Sequence, residues 1–216
     1  MRKFYVLLFT VIICYFSYSQ SPVYKIAHSY FRSNPFETEF SSFLTHLLND
    51  PSISNKILEK KTDTSLFFFQ GLYTNHNPFF FKPVKVEVAL GETVIKLDSL
   101  KTDTIYTYQL LAYNNDTKKE IEEIKKEFEK IHRRYKSSFS KVSYAENGPE
   151  SKMQAATYNF FDDLHRISPF SITWLGPSVD KEICLVITIR MKTRYNKAIL
   201  PAPLYPILLK IPLNTF

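Results

Sequence analysis

The chain has 216 residues, with 28 Lys and Arg against 21 Asp and Glu, for a formal charge of +7. The charges are scattered and of both signs, without the dense basic stripe and interleaved stacking aromatics of a nucleic-acid site, so no nucleic-acid partner is expected. Glycine is confined to Gly71, Gly91, Gly148 and Gly176, each beside an expected turn. That leaves no phosphate-cradling G-x-G-x-x-G or G-x-x-x-x-G-K loop, and no cofactor is expected.

Residues 1–19 read as a cleavable signal peptide. Arg2 and Lys3 form a positive start, Phe4 to Phe16 an apolar stretch, and Ser17-Tyr18-Ser19 places small residues where a signal peptidase needs them, with cleavage before Gln20. The apolar stretch is shorter than the ~20 residues a membrane-spanning helix requires. Cys14 lies inside it and follows the large Ile13, so lipidation is not expected. The expectation is an exported protein, periplasmic or extracellular, with no transmembrane helix after cleavage. Residues 20–216 then form one domain, large enough to bury a core without disulfides. Its lone cysteine, Cys184, sits in the most apolar strand pattern of the chain and reads as a buried thiol.

Gln20 to Ser33 reads as an irregular lead-in, with a short strand possible over Tyr24–Tyr30. A first helix is expected from Asn34 as cap and Pro35 as first residue, with Glu37 at the capping-box position. Phe36, Phe40, Phe43, Leu44, Leu47 and Leu48 would form its apolar face. Ser65 to Tyr73 reads as a strand. Val84 to Leu90 and Thr93 to Leu97 alternate around Gly91-Glu92 and predict a hairpin with a two-residue turn. Thr104 to Tyr113 is a further strand. The longest helix spans Thr117 to Ser137, with Ile121, Ile124, Phe128, Ile131 and Tyr135 as a narrow seam and basic residues gathered at its end. A third helix is expected from Pro149 to His165, burying Met153, Ala156, Phe160, Phe161 and Leu164. Phe170 to Leu175 and Glu182 to Lys192 are strands, the second of them central. The tail, Ala198 to Phe216, carries four prolines and reads as an edge strand or extended cover. The fold class that follows is α+β: a largely antiparallel sheet of about five to seven strands with about three packed helices in a single domain.

The catalytic candidates are Asp162 and His165, three apart and on one face if the segment is helical, within reach of an acid–base pair or a shared metal. A metal needs further ligands, and no second cluster at ligand spacing is visible, so no metal site is assigned. His76 lies in a polar turn between phenylalanine clusters and is a binding candidate, with Phe79 and Phe81 beside it and Arg133 and Arg134 in a small basic patch. Turn chemistry, a packed core and a helix end matched to its own dipole account for the same residues. There is no G-x-S-x-G elbow for serine chemistry. The leading expectation is a non-enzymatic binding module, with a protein, an envelope component or an apolar ligand as partner. The alternative is a small exported hydrolase, metal-assisted or not, using Asp162 and His165.

Overall fold

A computed structural model of the chain describes residues 21–58, 67–98, 101–147, 153–163, 167–177 and 181–192. The expected signal peptide, His165 and the proline-bearing tail lie outside these residues. Three helices are described: α1 (Pro22–Tyr30), α2 (Phe40–Asn49) and α3 (Lys118–Tyr135). Eight strands are described: β1 (Ile53–Leu58), β2 (Phe67–Tyr73), β3 (Lys85–Asp98), β4 (Lys101–Asn115), β5 (Lys141–Glu146), β6 (Ala155–Phe161), β7 (Phe170–Leu175) and β8 (Glu182–Lys192). They form one sheet in the order β1-β2-β3-β4-β8-β7-β6-β5, antiparallel at every pairing.

This order has an internal logic. A helix followed by a four-strand meander occurs twice, as α2-β1-β2-β3-β4 and as α3-β5-β6-β7-β8. The last strands of the two halves pair antiparallel, from Ile105 opposite Lys192 to Asn115 opposite Glu182. A two-fold axis normal to the sheet, between β4 and β8, relates strand directions in the two halves, and it keeps both helices on one face. The main core lies on that face: Val23 and Ile26 of α1, Phe43 and Leu47 of α2, and Ile124, Phe128 and Ile131 of α3 pack onto alternate residues of the strands. On β8 those are Ile183, Leu185, Ile187, Ile189 and Met191, so the expectation of a central strand holds.

Tyr108 anchors the middle. It is fully buried, stacks on Phe31 at 4.2 Å and meets Phe43 edge-on at 5.1 Å. The opposite face carries a smaller apolar cluster of Ala89, Leu111, Cys184 and Val186. Beside that cluster runs a polar row in which Gln109 donates to Thr188 at 3.1 Å and Thr188 lies opposite Ser171. Arg190 donates from Nη1 to the Ser168 carbonyl and the Ser171 hydroxyl, and burial pulls its guanidinium down to about 10.

Several expectations are corrected. The sheet has eight strands, not five to seven. The hairpin at Gly91-Glu92 does not exist: β3 runs straight through, and the chain reverses between Asp98 and Lys101, which pair. The phase change in the apolar pattern that suggested a turn occurs within one strand. Gly71 and Gly91 accordingly lie inside strands, and at Gly71 an added Cβ would collide with the Ile53 side chain of β1.

The lead-in is helix α1: Ser21 accepts from the Tyr24 amide at 3.2 Å as its cap, and Pro22 begins it. Val23, Ile26, Ala27 and Tyr30 have helical spacing and are its buried residues. Asn34 caps no helix. Its Oδ1 accepts from Phe36 N in a tight turn and its Nδ2 donates to the Tyr24 carbonyl, so the next helix starts only at Phe40. The expected third helix is strand β6, with Ala156 and Phe160 buried as alternate residues. Its apolar positions satisfy both periods over so short a run, and pairing to both β5 and β7 decides for strand.

Candidate functional site

The segment between β2 and β3 is built by its own side chains. Asn75 takes a left-handed conformation (φ 55°), and its carbonyl accepts from Arg32 at 3.3 Å. Asn77 accepts the Phe79 amide through Oδ1 and donates through Nδ2 to the Phe81 carbonyl, both at 2.9 Å. This double hold fixes the three phenylalanines in an in–out–in arrangement. Phe79 and Phe81 are 7% and 6% exposed and pack on each other, with Phe79 against Tyr30, whereas Phe80 is 71% exposed. His76 braces the same loop from Nε2 to the Tyr30 carbonyl at 2.8 Å, which requires the proton on Nε2, and its ring meets Tyr73 edge-on. Burial lowers its pKa, which keeps the ring neutral.

Helix α3 borders this loop. Thr117 caps the helix, accepting the Glu120 amide and donating to its carboxylate. The sequence seam faces the sheet, as expected, which turns Glu127, Lys130 and Arg134 toward the loop. Glu127 is buried, accepts the Phe80 amide and has its pKa raised by that burial, while Lys130 and Arg134 pull the other way. The Lys130 ammonium lies over the exposed Phe80 ring. Arg134 hydrogen-bonds with the Tyr135 side chain near Tyr30. Arg133 is exposed and donates to the Glu129 carbonyl.

The structure therefore gathers His76, Phe79, Phe81 and Arg134 around Tyr30, residues that the sequence presented as separate candidates. Phe79, Phe81 and His76 build the platform, and the side chain offered to solvent is Phe80. The sequence shows three consecutive aromatics after an Asn-Pro turn, but not which of them faces solvent.

Asp162 follows the end of β6, and its expected partner His165 lies outside the described residues. Among the described residues no group of three or more His, Cys, Asp or Glu is placed to hold a metal. The Cys184 thiol is buried and its pKa raised by that burial, the opposite of an activated nucleophile.

One constellation was not anticipated. Tyr158 of β6 donates to Glu129 Oε1 at 3.1 Å, and the His132 ring lies flat on Tyr158 at 3.9 Å and 8°. His132 Nδ1 is buried, lacks a hydrogen bond and stands 3.7 Å from Glu129 Oε2, too far for one. Phe128 stacks on the same tyrosine, so the arrangement clamps α3 onto β6. A shallow hollow on α2 is lined by Ser41, Ser42, Thr45 and His46 and holds no carboxylate. No helix among the described residues is long and apolar enough to cross a membrane. No protein-family model, no curated protein and no solved structure matches the chain.

Proposed function

We propose that the protein is an exported, non-enzymatic binding module that engages its partner through the Phe80 tip and the adjoining basic stretch of α3. Export rests on the sequence pattern of residues 1–19. The observation that carries the binding surface is the contrast between Phe80, held 71% exposed, and its two buried neighbours. A flexible loop would leave an exposed aromatic free to collapse. This one is braced by Asn77, His76 and Glu127, so its exposure is built in. Preorganised aromatic anchors beside cations are a common way to concentrate binding energy.

The test is affinity capture from the exporting cell, with parent and Phe80→Ser protein compared. Because Phe80 is exposed, the substitution is expected to change stability by less than ~0.5 kcal/mol. Loss of captured partner with an unchanged melting temperature supports the reading. Identical capture by the two proteins removes it.

A further inference from the structure

We infer that the partner of the Phe80 surface is an anionic lipid membrane; this rests on the binding-module reading and names its partner. Three observations favour lipid. First, the anchor is a projection: one phenylalanine, 71% exposed, stands out from a loop braced by Asn77. A protein partner would need a pocket shaped to the ring, whereas the interfacial layer of a bilayer accepts an aromatic side chain without a preformed mate.

Second, one long cationic side chain lies on the ring and others stand in the same loop and on the same helix. Lys130 lies over it, Lys82 follows two residues on, and Lys126 and Arg133 line the outward stripe of α3. Such chains lay their stems along apolar surface and carry their charge to the headgroup level.

Third, the carboxylate nearest the ring is withdrawn: Glu127 is buried under the loop and accepts the Phe80 amide. Beyond Glu129, which accepts Tyr158, the end of α3 carries Lys130, Arg133 and Arg134 and no further carboxylate.

The experiment is vesicle co-sedimentation of the protein purified after export, with cleavage before Gln20 checked by intact mass, using phosphatidylcholine vesicles with and without phosphatidylglycerol, at low and high salt. The parent is expected to bind vesicles containing phosphatidylglycerol and to release with added salt. Lys130→Gln with Arg133→Gln should weaken partitioning by roughly thirtyfold and flatten its salt dependence. Phe80→Ser should weaken it by about tenfold at every salt concentration. Lys125→Gln, on the opposite flank of α3 over Trp174, is expected to change much less.

Equal binding to purely zwitterionic vesicles overturns the inference, as does indifference to the Phe80 and Lys130/Arg133 changes. Equally effective competition by soluble polyglutamate overturns it in favour of an acidic polypeptide. If vesicle binding fails while capture from cells still depends on Phe80, the lipid assignment falls and the binding module stands.

Discussion

The two halves of the sheet share a plan and fill it with different chemistry. In the first half, α2 is short and apolar: Phe40 lies over Tyr106 at 3.9 Å, Phe43 meets Tyr108, and Leu47 is fully buried beside them, so the contact is made by apolar and aromatic side chains. In the second, α3 has 18 residues, a narrow apolar seam and charged flanks, and it docks through a stacked His132–Tyr158 pair with a carboxylate beside it. The sheet edges differ as well. The outer strand β1 is broken by a bulge between Ser54 and Ile57, with Asn55 left-handed, whereas β5 keeps an unbroken register with β6. Topology is thus satisfied by any helix that buries one stripe. What remains on the other stripes is free to vary, and only the second half uses that freedom to present a basic surface.

The comparison can be broken most severely at the centre. Tyr108→Ala removes a fully buried ring that joins Phe31, Phe43 and, through its hydroxyl, Tyr73. It should cost about 3–5 kcal/mol. Denaturant unfolding should still show one transition, because the long β4–β8 pairing couples the halves; two separated transitions would show that they fold independently. Phe128→Ala, in the buried seam of α3 where the ring stacks on Tyr158, should approach the same cost.

Smaller changes sharpen the contrast at the helix starts. Thr117→Ala removes the cap of α3 and should lower stability by about 1 kcal/mol. The residue preceding α2, Glu39, makes no side-chain cap, so Glu39→Ser should raise stability by roughly 0.5–1 kcal/mol. Thermal melts of the two variants against the parent measure both.

The smallest effect depends on pH. The His76 imidazole is depressed by burial, so the folded state favours its neutral form. Its contribution to stability is present above the unfolded value of about 6.5 and is lost as pH falls through the lower folded value. The parent should therefore lose melting temperature faster than His76→Gln as pH falls below about 6.5. Parallel curves would mean that the ring is not held neutral.

The sequence spoke plainly where one period governed a long run. The seam of α3 and the alternation along β8 predicted both elements and the buried sides of each. It was ambiguous in short runs: 155–161 fits a helix and a strand equally, and only pairing with β5 and β7 decides. At Gly91-Glu92 a phase shift in the apolar pattern imitates a reversal, because side-chain alternation carries no record of chain direction. The candidate site was legible in its parts. His76, the phenylalanine triplet and the basic helix end all stand out in the sequence, but their convergence on Tyr30 depends on α1, a nine-residue helix too short for its period to stand out.

Cys184 adds a measurement that the molecule carries within it. Its thiol is buried at the β4–β8 seam opposite Tyr113 and held in the unreactive protonated form. A thiol reagent reaches it only when the seam parts, so peptide-resolved alkylation of Cys184 over time acts as a clock for separation of the two halves. At low denaturant and with reagent concentrated enough that alkylation outpaces reclosing, its rate gives the opening frequency of the intact protein, a quantity that equilibrium melting does not report.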